Sequence, residues 1–217
     1  MTDIVEIPFL TDGPSDAAWR LILAHGAGAP MDSDFMNAIA ENLAGRGIGV
    51  LRFEFPYMAL RRTEGRRKPP DRAPVLIGAW REAIRAAQAR YPAARFAIGG
   101  KSMGGRMATL LAAEPDCPDT VQAVVTLGYP FHPPGKPDRL RTDHFAALRL
   151  PVLMVQGTRD PFGTRDDVAG YTLPKSATVF WAEDGDHDLK PRKASGRSHA
   201  QALDEASAEI QAFLERL

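Results

Sequence analysis

The sequence predicts a single α/β domain over residues 1–217, with a mainly parallel central sheet, helices on both faces and little or no cap domain. Three observations predict it. Short apolar runs alternate with longer segments of helical period, each run ends in glycine or a polar turn, and one glycine-rich turn stands between a predicted strand and a predicted helix. A chain of 217 residues can bury a core without disulfides or metals. Its 44% hydrophobic and 25% charged residues match ordinary globular proteins. Lys plus Arg and Asp plus Glu number 27 each, so no net field favours nucleic acid or an anionic membrane, and neither is an expected partner. Cys117 is the one cysteine, which excludes an internal disulfide and a multi-cysteine metal site and suits the cytoplasm. Met1 to Gly13 carries acids and Pro8 where a signal peptide has a basic stretch and an apolar run. No run approaches the roughly 18 apolar residues of a membrane span.

The elements follow in order. Trp19 to Ala24 is a strand, Ser33 to Ala44 a helix with Phe35, Ile39 and Leu43 on one face, and Ile48 to Phe53 the next strand. From Pro56 to Pro74 the period breaks into Arg, Lys, Pro and Gly, which reads as a surface excursion. Val75 to Tyr91 has helical spacing through Ile77, Trp80, Ile84 and Ala87 and is stopped by Pro92. Arg95 to Ile98 is then a strand, Met103 to Ala113 a helix, and Val121 to Leu127, Val152 to Val155 and Ala177 to Trp181 are strands. Leu203, Ala206, Ile210, Phe213 and Leu217 mark a final helix laid against the sheet. Pro130 to Pro137 is a second gap without period.

The predicted strand ending at Ile98 runs into Gly99-Gly100-Lys101-Ser102-Met103-Gly104-Gly105, a G-x-S-x-G turn with a helix after it. A serine on such a turn has strained backbone angles, tolerable because the positions two before and two after lack side chains. The following helix aims its N–H groups and positive dipole end at the spot where an oxyanion would develop. An incidental serine or a phosphate loop is the alternative. A P-loop needs G-x-x-x-x-G-K-[ST], and Arg95 stands where its first glycine belongs.

A serine hydroxyl is a weak nucleophile, so an imidazole must take its proton and a carboxylate must hold that imidazole in one tautomer. Asp160 follows the Val152 to Val155 strand and sits where the acid belongs, although an Asx-turn before Pro161 is another use for it. Asp166 and Asp167 are rivals in the helix that follows. Of the five histidines, His187 and His199 come after the acid, and His187 lies on the loop after the last strand. Chain order selects it. Neighbouring Asp184, Asp186 and Asp188 would raise its pKa if they lay close. Upstream, Leu23-Ala24-His25-Gly26-Ala27-Gly28 makes a flexible loop, and the backbone N–H groups of Ala27 and Met103 are the candidate oxyanion donors. His25 reads as a residue that bonds the loop's own backbone. Arg61 to Arg72 carries six bases against two acids and leaves from the same sheet edge, where it would favour acidic or neutral substrates. Lys101 and Arg106 would add to a positive rim, or simply lie exposed.

From the strand before His25-Gly26 to the helix after His187, the chain resembles an α/β-hydrolase. More narrowly, Gly100-Lys101-Ser102-Met103-Gly104-Gly105-Arg106 with the His-Gly-Ala-Gly loop resembles the KANL/testis-expressed hydrolase-like branch, itself similar to dienelactone-hydrolase-like proteins. The resemblance implies hydrolysis of a small ester, thioester or related acyl substrate through an acyl-enzyme, without cofactor or metal. Dienelactone hydrolases proper carry cysteine at the elbow, where this chain has Ser102. The branch also includes members better known as components of protein assemblies, so a catalytically weak interaction module is the alternative reading.

Overall fold

The computed structural model describes residues 7–65 and 68–217. Seven strands form one sheet in the order β1-β3-β2-β4-β5-β6-β7. They are β1 Leu10–Asp12, β2 Trp19–Ala24, β3 Gly49–Phe53, β4 Arg95–Lys101, β5 Val121–Leu127, β6 Val152–Gly157 and β7 Ala177–Ala182. All neighbours pair in parallel except β1, which runs antiparallel along β3. Six helices connect them: α1 Asp34–Ala44, α2 Pro56–Glu64, α3 Ala73–Arg90, α4 Met103–Ala113, α5 Arg165–Ala169 and α6 His199–Glu215.

Strand residues alternate between faces, and each face buries one cluster. Leu21, Leu23 and Val50 pack with Ile39 and Leu43 of α1 and with Ala206, Ile210 and Phe213 of α6. Ile22, Leu51 and Phe53 pack with Trp80 and Ile84 of α3 and Met107 and Leu111 of α4 on the other side. Both faces of β2 and β3 are therefore fully buried, as a parallel sheet covered by helices requires. Parallel strands share one carboxyl edge, and the loops that leave it carry the polar residues picked out above.

Three expectations change. The stretch that begins at Pro56 opens as a helix: α2 starts on Pro56, buries Tyr57 and Met58, and its Tyr57 N–H is bound by the Asp71 carboxylate at 3.1 Å. Proline at the first helical position hid this helix behind a loop-like composition. Strand β1 was invisible because three half-exposed residues show no period. Leu217 lies beyond α6 and is 42% exposed, so it does not belong to the helix face with Phe213.

Two cavities, of about 640 and 630 Å³, lie at the amino edge of β5 to β7, away from Ser102. Cys117 borders the second, and burial pushes its thiol up to about 11. Trp80 has no exposed surface and meets Phe53 edge-on at 4.8 Å between ring centroids. Trp80→Ala is expected to cost about 3–5 kcal/mol, the range for removing a large buried aromatic. Urea denaturation checks this, and a loss below about 1 kcal/mol would mean the α3 face of the core is loosely packed.

Candidate active site

The turn from β4 into α4 holds Ser102 at φ 52° and ψ −113°, a sparsely populated conformation for a residue with a side chain. Close packing over-determines it. A Cβ on Gly100 would lie 2.5 Å from the Ala24 carbonyl oxygen, and one on Gly104 would lie 2.5 Å from that oxygen and 2.7 Å from that of His25. Glycine at both places lets the turn press against the end of β2. The Ser102 N–H donates to the Leu127 carbonyl at 2.9 Å, tying the turn to β5 as well.

Loops from two further strands converge on it. His187, after β7, has Nε2 2.9 Å from Ser102 Oγ and Nδ1 2.8 Å from Asp160 Oδ2. Asp160, after β6, is completely buried. Its Oδ1 accepts the Phe162 N–H at 2.8 Å, and its Oδ2 also accepts from Gln156 Nε2 at 2.9 Å. Because a carboxylate only accepts, His187 Nδ1 carries a proton and Nε2 faces the serine. Phe162 covers the imidazole, with ring centroids 4.2 Å apart.

The rival residues are used elsewhere. Asp167 closes a capping box with Thr164 on α5, and Asp166 is exposed. His199 opens α6 and hydrogen-bonds the Asp188 carbonyl at 2.8 Å. The acids flanking His187 do not crowd its ring: Asp184 pairs with Arg159 and Arg192, Asp186 accepts the Asp188 and Lys190 N–H groups, and Asp188 pairs with Lys101. Met103 opens α4, where N–H groups have no helical partner, and Gly26 passes beside Ser102, a Cβ there lying 3.8 Å from Ser102 Cβ. Ala27 follows it, exposed, with its carbonyl bound by Tyr57 Oη at 3.0 Å. His25 donates from Nδ1 to the Gly26 carbonyl at 2.7 Å and accepts the Phe55 N–H on Nε2 at 3.1 Å. It therefore bonds loop backbone as expected, and burial lowers its pKa.

Lys101 departs from expectation. It lies buried rather than on a rim: Nζ donates to the His187 carbonyl at 2.8 Å and pairs with Asp188 at 3.1 Å, and burial lowers its pKa. Arg62 is also neutralised, by Asp32 at 2.8 Å and Glu54 at 2.7 Å, which braces α2 to the loop before α1. Arg66 and Arg67 of the basic segment lie outside the described residues. Sequence reading missed Gln156, Phe162 and Tyr57 as members of the site. Gln156 alone left a signal, a polar residue closing an otherwise apolar buried strand.

Residues 17–215 match the family model described as an alpha/beta hydrolase domain. The chain belongs to the α/β-hydrolase family. Among solved structures, this α/β-hydrolase is similar to a dienelactone hydrolase from Anabaena variabilis, with TM-score 0.73 and 21% identity over 95% of this chain and 89% of that one. It is also similar to XC6422 from Xanthomonas campestris, described as a serine hydrolase without lid (TM-score 0.66, 21% identity, 98% and 95% covered). An esterase from Pyrococcus furiosus, Pf2001, matches with TM-score 0.69 and 14% identity over 97% and 90%. At these identities the likeness concerns the fold. No helix among the described residues of the hydrolase is long and apolar enough to cross a membrane, and no group of three His, Cys, Asp or Glu converges there as a metal site.

Two predictions arise from this geometry. Lys101→Met removes the donor to the His187 carbonyl, so amide hydrogen exchange across residues 184–190 should quicken roughly tenfold while α6 stays protected. Unchanged exchange in that loop would show that Lys101 does not hold it. The second concerns His25. Its folded pKa lies below the ordinary 6.5, so the stability from keeping it neutral is complete above that value and is lost as pH falls below it. Urea midpoints should therefore drop between pH 7 and pH 5, and drop less in His25→Gln.

Proposed function

We propose that this α/β-hydrolase is a serine hydrolase that cleaves a small ester, thioester or related acyl bond through an acyl-enzyme. The observation that carries the reading is the unbroken hydrogen-bond chain from Ser102 through His187 to buried Asp160. Ser102 Oγ attacks the substrate carbonyl as its proton passes to His187 Nε2. Asp160 holds the ring in the reactive tautomer and stabilises the imidazolium that forms. Backbone N–H groups of Ala27 and Met103 are proposed to meet the oxyanion. The imidazolium gives its proton to the leaving group, and water, deprotonated by the same ring, then frees the acid and restores Ser102.

Within the family, the run Gly100 to Arg106 and the His25 loop support placement near the KANL/testis-expressed branch. The same reading takes the protein as cytoplasmic, acting on a small molecule without metal, cofactor, nucleic acid or membrane.

A fluorophosphonate probe tests the nucleophile. It should label wild type at Ser102 and leave Ser102→Ala unlabelled; absence of labelling on folded wild type would favour an interaction module instead. On an activated ester, Ser102→Ala and His187→Ala should each lower kcat on the order of a millionfold, by analogy with other triads. Asp160→Asn should cost on the order of 10⁴, because it disturbs the tautomer and leaves the base in place. A tenth of wild-type turnover in Ser102→Ala would refute the mechanism.

A further inference from the structure

We propose that the free edge of β7 is a homodimer interface, pairing antiparallel with β7 of a second copy of this chain across a two-fold axis. The interface does not depend on the chemistry at Ser102. The sheet order leaves β1 and β7 at the two edges. β1 is blunt: it has three residues, and Asp12 at its end is tied back to Arg52 of β3 at 2.9 Å. β7 has six, Ala-Thr-Val-Phe-Trp-Ala, with neither proline nor charge, and it runs along β6 without a bulge. Native edges are ordinarily kept from pairing by lysine, proline, a bulge or extreme shortness, and an apolar edge without these devices is a template for another strand.

The ladder to β6 fixes which backbone groups are free. The Val152 N–H donates to the Ser176 carbonyl at 3.0 Å and the Thr158 N–H to the Ala182 carbonyl at 3.1 Å, and the register between them is unbroken from Val152↔Ala177 to Gly157↔Ala182. In a parallel pair alternate residues turn both backbone groups toward the neighbour, so Thr178 and Phe180 face β6 together with Ser176 and Ala182. Val179 and Trp181 therefore point N–H and C=O outward, and no described residue bonds them there. Ala177 adds its carbonyl, its N–H being turned onto the Pro174 carbonyl at 2.9 Å. Val179 and Trp181 pack their side chains against one core cluster and Phe180 against the other, so burial of β7 comes from its two faces, and Thr178 is exposed.

A second copy of the same strand supplies what these groups lack. Antiparallel pairing with Val179 of each copy opposite Trp181 of the other turns every outward N–H of those residues onto a carbonyl. A slip of one residue would set outward groups against inward ones, so only alternate registers are open. In this one Phe180 meets its own counterpart at the axis, a non-hydrogen-bonded pair with Cα atoms about 4.5 Å apart, where two aromatic rings lie on one face of the joined sheet. Charge agrees with the antiparallel direction. Lys175 is exposed in the turn before β7 and has no carboxylate within 4.0 Å among the described residues. Glu183 stands just past the other end of the strand, its side chain 62% exposed although Arg165 pairs with it at 3.4 Å. Antiparallel strands bring each Lys175 to the Glu183 end of the other copy, and the two-fold axis repeats that ion pair. The carboxyl edges of the two sheets then face opposite ways, so each Ser102 keeps a mouth of its own.

Sedimentation equilibrium tests the interface. Wild type should run at twice its 23.6 kDa mass at about 100 μM chain, a concentration that populates even a weak dimer. Val179→Pro deletes one outward N–H without touching the ladder to β6, a change that edge strands tolerate, and should leave a folded monomer. Amide exchange at Trp181 should slow with protein concentration in wild type and not in Val179→Pro. Lys175→Glu sets acid against acid at both ends of the paired strands and should weaken association about tenfold at low salt, and adding Glu183→Lys should restore it. A wild type that stays monomeric, a dimer that survives Val179→Pro, or a dimer that leaves the Trp181 amide unprotected would each overturn the interface. If Val179→Pro fails to fold, the charge reversals decide: weakening that the double variant repairs upholds the pairing, and any other result rejects it.

Discussion

A carboxylate wholly withdrawn from water governs the geometry of this site. An isolated charge so buried would carry a desolvation penalty of several kcal/mol, and Asp160 persists because three donors surround it: the Phe162 N–H, the Gln156 amide and the His187 ring. Each donor is itself held. Gln156 spends its remaining capacity on both polar groups of the Tyr129 backbone and on the Gly163 carbonyl. His187 is fastened from behind by Lys101 through its carbonyl. Satisfying one buried anion therefore fixes the ends of β5 and β6 and the loop after β7 relative to Ser102.

The turn that carries Ser102 meets the same network from the other side. Gly100 and Gly104 admit the Ala24 and His25 carbonyls, so the loop after β2 and the first turn of α4 pack directly against each other. His25 and Tyr57 extend that contact to α2 by bonding Gly26, Ala27 and Phe55. Strain at Ser102, of order 1–3 kcal/mol for such a conformation, is borne by contacts with the ends of β2 and β5, the two strands that flank β4.

Much of this was readable in the sequence, and the reason is periodicity. Buried parallel strands write continuous apolar runs, and six of the seven strands and the four long helices α1, α3, α4 and α6 announced themselves that way. Chain order after β4 then singled out Asp160 and His187, which the structure brings together with Ser102. What stayed hidden depends on contacts distant in sequence. Lys101 looks like any surface lysine until His187 arrives 86 residues later, and Phe162 is a loop aromatic until a ring stacks on it. The helix α2 was masked by Pro56 and a basic composition whose charge, at Arg62, is answered by Asp32 and Glu54 from other segments.

Cys117 sits at the opposite edge of the sheet from Ser102, half-buried, its thiol pushed up to about 11. Near neutrality hardly any of it is thiolate, and thiolate is the form that reacts with alkylating reagents. The native chain is thus chemically quiet toward maleimides. A cysteine introduced at exposed Ala27, for instance, would become the one readily labelled position, and a fluorophore or spin label placed there could follow motions of that loop without first stripping the protein of its own sulfur.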